Sequence, residues 1–400
     1  MRLRTFESFW LVKNGILHSY PSLKKNINTE VVVVGGGITG ALVAHALMSK
    51  DYKVVLLDKR DIGQGSSSAT TSMLQYEIDV PLYELAEMIG EDAAVDCYKA
   101  GIDAIKKMEQ LVKETGISCG FESKQSLYIA HSKKAAKDLY KEFQIRQKHQ
   151  LGVKWLSADE VHNQFEIVCF GAILSEVAGS VDGYKFAHEL IRLNVKRGME
   201  VYDQTEIENF ELDTEPAVIT LKNDFTVNCK KVIFCTGFEA SQMLKENLAK
   251  LFYTYACVSE QEIKIPEKLR GVLVWDTNDP YLYMRTTDDG RLLIGGEDSS
   301  NNISFFQQKI KEKKTARLLK KLHKMLPGIA FTEDFNWGGT FGTTKDGLPY
   351  IGKSPEFENA LFVLGYGGNG ITFSIQAMDI IIDLMEGKTN TLAGYYRFGR

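Results

Sequence analysis

Residues 35–40 read Gly35-Gly36-Gly37-Ile38-Thr39-Gly40, and the glycines at 35, 37 and 40 fit the pattern G-x-G-x-x-G. Such a turn is built to hold a pyrophosphate. The first glycine permits the tight turn, the second lets backbone approach the ligand, and the third lets helix and strand pack closely. The amino end of the following helix then favours negative charge. Asp58 closes the next apolar run, where a ribose hydroxyl needs an acceptor. The glycines alone are weak evidence. What carries the reading is their order among elements: a strand of four valines (Val31–Val34), the turn, a helix-forming stretch over 41–50, and a second strand over 53–58 ending in the acid.

Two further glycine segments follow apolar runs. Leu361-Phe-Val-Leu-Gly365-Tyr366-Gly367-Gly368-Asn369-Gly370-Ile371-Thr372 predicts a strand, a tight turn and a helix to about Glu386, with Gly387 just past its end. Ile371, Ile375, Met378, Ile382 and Met385 recur at helical spacing, which marks a core face. The N–H groups opening that helix suit an electron-rich ring edge. The third segment, Lys230 to Ala240, is a strand followed by Thr236-Gly237.

Candidates for substrate contact lie between these segments. Tyr281, Tyr283 and Arg285 alternate along one strand face, offering two phenols and a guanidinium to an anionic ligand, or else a solvated face. Trp337, Tyr255 and Tyr366 are pocket walls or packing residues on equal terms. The seven histidines all fall outside the motif glycines, and His45 reads as a packed residue of the first helix. The eight Lys or Arg of Lys309 to Lys324, opposite Ile310, Leu318, Leu322 and Met325, describe an amphipathic helix whose charged face is solvated rather than docked.

Composition bounds the rest. The chain has 400 residues, a net charge of −4, 44% hydrophobic residues and 34 glycines against 8 prolines, which is ordinary for a globular protein and not that of a nucleic-acid binder. Six scattered cysteines make neither a disulfide framework nor a metal site, and the first residues lack a signal-peptide core. No apolar stretch is long enough to span a bilayer, so a cytoplasmic protein without metal is expected.

Taken together, VVVVGGGITG at 31–40, the segment 235–237, GRLLIGG at 290–296, DGLPYIG at 346–352 and GYGGNGIT at 365–372 resemble the D-amino-acid oxidase-like family of FAD-dependent oxidoreductases, which includes glycine and sarcosine oxidases and γ-glutamylputrescine oxidase. The resemblance runs from about residue 28 to the end. It implies an α/β architecture, a Rossmann-type FAD-binding domain intertwined with an antiparallel-sheet α+β substrate domain. The FAD domain is then assigned to 1–80, 165–245 and 336–400, and the substrate domain to 81–164 and 246–335. It further implies that Gly35, Gly37, Ile38 and Thr39 meet the pyrophosphate and that Asp58, Lys59 and Arg60 meet the ribose. Ile207 is placed against adenine. Ser66, Ser67, Thr71, Ser72, Gly237 and the run Gly367, Gly368, Asn369, Gly370, Ile371 and Thr372 complete the cofactor set, with Tyr281, Tyr283, Arg285, Trp337 and Tyr366 around the substrate.

Two departures qualify the resemblance. The family's Arg-Asn-Gly-Gly positions read Ala69, Thr70, Thr71 and Ser72, and Phe341 stands where amino-acid oxidases of the family carry a carboxylate-binding arginine. Arg285 or Lys345 is left to replace it, and the pattern is nearer the γ-glutamylputrescine oxidase-like branch. With no histidine in 63–72 and no cysteine after Cys257, FAD is expected to be non-covalent. The expected reaction is hydride transfer from the carbon of an amine or amino acid to flavin, with oxygen, a quinone or a partner protein as electron acceptor. A 2-hydroxyacid or glycerol-phosphate-type dehydrogenase and a non-catalytic flavin-binding regulatory module are the alternatives.

Overall fold

The computed structural model describes residues 4–5, 8–246, 248–261, 263–300 and 307–400. The four valines form strand Val31–Val34, fully buried, at the middle of a six-stranded sheet. It runs parallel to Val54–Leu57 on one side and to Lys231–Phe234 on the other. Ala360–Leu364 and Glu200–Tyr202 extend the parallel set, and Tyr350–Lys353 closes one edge antiparallel. A strand this apolar must be covered on both faces. Val31 and Val33 point into a core shared with helices Ile38–Met48, Gly183–Lys196, Glu91–Thr115 and Gly370–Met385. Val32 and Val34 point the other way, into a core shared with a four-stranded sheet of Ile207–Glu211, Ala217–Leu221, Thr226–Cys229 and Ile27–Asn28.

A second, ten-stranded sheet lies beside this unit. Glu333–Thr343, Lys250–Ser259, Leu292–Ser299 and Leu282–Thr286 make an antiparallel run. Val272–Asp276 then pairs antiparallel with Leu282–Thr286 and parallel with Glu122–Ile129. Helix Gln307–Met325 covers one face, its Leu318, Leu322 and Met325 buried with Leu282 and Met284. Its basic side is partly engaged: Lys314, Arg317 and Lys321 converge on the buried Glu297. The mixed α/β architecture with more than one sheet therefore stands as expected. Two elements cross the expected division of the chain. Strand Ala172–Ser180 pairs with Glu122–Ile129 in the large sheet, and helix Glu91–Thr115 packs on Gly370–Met385 beside the parallel sheet.

The glycine turn is fastened from several directions. Gly35, at φ +108°, passes so close to the next parallel strand that a Cβ there would lie 2.5 Å from the Cys235 carbonyl oxygen. A Cβ on Gly40 would lie 1.8 Å from the carbonyl oxygen of Gly35, backbone against backbone. Across the helix layer, the Thr39 and Ser374 hydroxyls share a hydrogen bond of 2.8 Å, so the first and last motif helices are joined at their amino ends. Gly40→Ala is therefore expected to lower stability by about 1–3 kcal/mol or more, whereas Gly394→Ala, with open space around it, should change stability by less than about 0.5 kcal/mol. Thermal unfolding of the two variants checks this, and equal stabilities would refute the packing role of Gly40.

Candidate active site

One cavity of about 1120 Å³ begins at the glycine turn and ends under the large sheet. Ordinary small-ligand pockets measure roughly 300–1,000 Å³, so this one has room for a long ligand and a smaller one together. Its wall at the turn is made by Gly35, Gly37, Ile38 and Thr39, followed by Asp58, Lys59 and Arg60. Ile207 lies on the same wall between Glu206 and Glu208, at the start of its strand. Ser66, Ser67, Thr71 and Ser72 form a second side, with Gly237, Gly367, Gly368, Asn369, Gly370 and Ile371 facing it. Every expected cofactor residue but one thus borders a single space. Thr372 does not; it is buried, and its hydroxyl donates to the carbonyl of Gln75.

Several of these residues also brace the wall. Asp58 accepts from the Gly36 amide at 2.7 Å and from the Arg60 amide at 2.9 Å, tying the turn to the second strand. Burial pushes its carboxyl above the usual range. Ser67 Oγ accepts from the Ile38 amide at 2.9 Å. Lys59 and Arg60 both reach Glu239, Arg60 with two nitrogens at 3.2 and 3.1 Å. Burial alone would raise Glu239, but these bonds outweigh it and hold the carboxyl low. The loop 367–372 is clamped to segment 75–79. Asn369 donates to the carbonyls of Gln75 and Glu77, each at 2.8 Å, and the Gly368 amide donates to Asp79.

The segment 69–71 is held differently from anything its sequence suggests. Its three successive carbonyls each take a hydrogen bond from a large buried side chain. Trp337 donates to Ala69 at 2.8 Å, Trp10 to Thr70 at 2.6 Å and Arg285 to Thr71 at 2.7 Å. The expectation for Arg285 is therefore corrected. Its guanidinium also donates to the carbonyls of Thr286 and Val181 and lies over the Trp10 ring, outside the cavity. Buried without an acidic partner in hydrogen-bond contact, it drops to about 10. Tyr366 is corrected likewise: it stacks on Phe238 at 5.4 Å and does not border the cavity. Trp337 does border it, with its indole N–H spent on Ala69.

Tyr281 and Tyr283 both face the cavity, and glycines make room for them. A Cβ on Gly295 would lie 2.4 Å from the Tyr283 hydroxyl, and one on Gly296 would lie 2.1 Å from the Tyr281 carbonyl oxygen. This accounts for the GG of 290–296. Tyr283 bonds to Thr71 and Thr254, while Tyr281 and Thr254 reach the Asp298 carboxylate. Burial raises both phenols, so they stay protonated. Residues that the sequence reading missed complete the chamber: Gln75, Glu77 and Asp79 alternate along one segment, and Tyr128 stacks on Trp275 at 3.4 Å. The alternation at 75, 77 and 79 was the available signal, but it is only three residues long. Asp79 opens onto the cavity and is exposed there; the surrounding walls, with the nearby Asp298 adding to them, raise it to about 6 against the bond from Gly368. Phe341 borders the cavity, and Lys345 is exposed and does not. Among the described residues, no group of three or more His, Cys, Asp or Glu is arranged to hold a metal, and no helix is long and apolar enough to cross a membrane.

Comparison with known proteins converges on one family. A family model described as FAD dependent oxidoreductase matches residues 30–384. Glycine oxidase of Geobacillus kaustophilus is 26% identical, over 90% of this chain and 93% of its own length. Gamma-glutamylputrescine oxidoreductase of Escherichia coli is 25% identical, over 92% and 86%. The crystal structure of the Geobacillus kaustophilus glycine oxidase superposes with a TM-score of 0.76, covering 93% of this chain and 99% of that one at 22% identity, a likeness of fold.

The carbonyl anchors make a prediction of their own. Trp337→Phe leaves the partly buried Ala69 carbonyl without its indole donor and should cost about 1 kcal/mol or more. The expected result is a lower melting temperature together with faster loss of bound cofactor on dilution. Unchanged values for both would mean that the indole bond does not hold the loop.

Proposed function

We propose that this chain, which belongs to the family of FAD-dependent oxidoreductases, oxidises the carbon–nitrogen bond of a small amine or amino acid inside the cavity described above. FAD, when bound, supplies the two-electron acceptor for the hydride leaving the carbon beside nitrogen, and the resulting imine is hydrolysed by water. The residues present fit such a cofactor. Gly35, Gly37, Ile38 and Thr39 would hold its pyrophosphate, Asp58 to Arg60 and Ile207 its adenosine end, and the walls at 66–72, 237 and 367–371 its ring system. The Thr236 hydroxyl is buried on the same wall with no partner in the fold, a polar atom left for a ligand. The flavin is held without a covalent link, a reading supported by a 63–72 loop that lacks histidine. Cys235 borders the cavity, but burial pushes its thiol up and away from the nucleophilic form.

The observation that carries the C–N assignment is a continuous cavity whose lining, among the described residues, includes no histidine. His45 is instead packed against Asn194, and His188 is buried beside Tyr184. An alcohol must lose its hydroxyl proton as hydride departs, and histidine is the commonest side chain for that task. An amine enters as an ammonium, whose proton is far more acidic than an alcohol's, so a carboxylate suffices to free the lone pair. Asp79, poised near 6, is suited to receive it. The chain's own work is then to bind, to orient the C–H bond by packing against the tyrosines, and to exclude water. Six unpaired thiols, five of them buried, support a cytoplasmic setting.

An anaerobic screen of the purified holoenzyme tests this reading. Amines or amino acids should bleach the flavin absorbance, and acid precipitation should afterwards leave all flavin in the supernatant. Bleaching only by 2-hydroxy acids or glycerol phosphate would establish the dehydrogenase alternative, and no bleaching by any class would favour a binding module. Readmitting air, or adding a quinone, then separates oxygen from other electron acceptors.

A further inference from the structure

The charge on the cavity wall is lopsided. Nine acidic side chains border it against two basic ones, Lys59 and Arg60. Both bases sit at the nucleotide end and are already paired with Glu239. On the large-sheet side the wall carries Glu77, Asp79, Asp276, Asp279 and Asp298 and, among the described residues, no cation. Asp276 is consumed locally, capping the turn through the Asn278 and Leu282 amides. The others are less committed. Among the described residues, Asp298 has one carboxylate oxygen with no hydrogen-bond partner, and so does Glu77, which is only 3% exposed. Glu77 is held in place through its other oxygen by Ser175 at 2.6 Å and Arg146 at 3.5 Å. A carboxylate oxygen buried without a donor is costly unless a ligand supplies one.

Around these oxygens the wall is aromatic: the stacked pair Tyr128 and Trp275, and the neighbouring rings of Tyr281 and Tyr283, 5.8 Å apart. Carboxylates beside aromatic faces are the combination that recognises an organic ammonium. A ligand carboxylate would meet the opposite: no arginine or lysine to grip it, Phe341 in place of one, Arg285 spent on three carbonyls, and acids on the facing wall. Among the described residues, the acids are not grouped as a metal site either.

On the reading that this cavity is the site of C–N oxidation, we propose that its substrate is an organic ammonium with no carboxylate beside the reacting carbon, an alkylamine or alkyldiamine. Asp79 and Asp298 hold its charge against the tyrosine wall. The chain is then an amine-oxidising rather than an amino-acid-oxidising member of its family.

Matched pairs on the anaerobic holoenzyme test this: methylamine against glycine, dimethylamine against sarcosine, ethylamine against either alanine, and 1,4-diaminobutane against ornithine. The amine of at least one pair should bleach the flavin about 100-fold faster than its amino acid, since the extra carboxylate would be brought against acids of the same sign. If the amino acid is the faster member wherever a pair reacts, the inference fails while C–N oxidation stands. If only hydroxy acids or glycerol phosphate react, the underlying reading fails with it. Binding supplies an independent readout. Tetramethylammonium chloride, titrated at pH 8 against sodium chloride of equal ionic strength, should perturb the flavin spectrum, whereas acetate and benzoate should not. Asp79→Asn and Asp298→Asn should each weaken that binding at least about 10-fold. Asparagine at 79 keeps an acceptor for the Gly368 amide, so the loop clamp survives. Perturbation by the carboxylates and not by tetramethylammonium would overturn the inference.

Discussion

Three successive carbonyl groups, those of Ala69, Thr70 and Thr71, are each fixed by a buried donor, and the geometry of the cavity depends on that arrangement. The donors come from three separate places: Trp337 from one strand of the large sheet, Arg285 from another, and Trp10 from helix Phe9–Asn14. The side chains of the segment add only local bonds, such as that from the Ser72 amide to the Thr70 hydroxyl at 3.1 Å. Unpaired carbonyls in such a place would be costly, so the donors are obligatory rather than decorative. Because the same segment borders the cavity, fixing it from behind also joins the parallel-sheet unit to the large sheet. The Arg285 guanidinium is thereby committed to structure.

A similar economy governs the other wall. Loop 367–372 could be read as ligand-facing throughout, yet its amide at Gly368, side chain at Asn369 and hydroxyl at Thr372 all bind segment 75–79. What remains toward the cavity is mostly backbone and the carboxylates that the segment carries. Glycines and a helix amino end line one part of the cavity, while acids and aromatic rings line the other. Selectivity would then rest on charge repelled as much as on charge attracted.

Much of this was legible in the sequence. The buried strand Val31–Val34, the turn after it and the helix Gly370–Met385 followed from local pattern, because strand burial, glycine geometry and helical spacing are properties of neighbouring residues. So were Gly35, Gly37, Ile38, Thr39 and the positions 58–60 and 367–371 as candidates, and all of them border the cavity. What was not legible depends on distant partners. Arg285 shares a strand face with Tyr281 and Tyr283, but alternation cannot say that Thr71, 214 residues away in sequence, waits at its end. Asp79 and Asp298 lie more than 200 residues apart and meet one cavity only through the sheet topology. The place of strand Ala172–Ser180 in the large sheet was not legible either, since pairing is set by register with Glu122–Ile129.

The central claim, that the chamber under the large sheet is built for an organic cation, is tested most directly by a crystal structure of the holoenzyme with bound tetramethylammonium. The account predicts the ammonium between the tyrosine wall and the carboxylates of Asp79 and Asp298, with Arg285 still bound to Thr71. An anion occupying that chamber instead, gripped by Arg285 or Lys345, would contradict it.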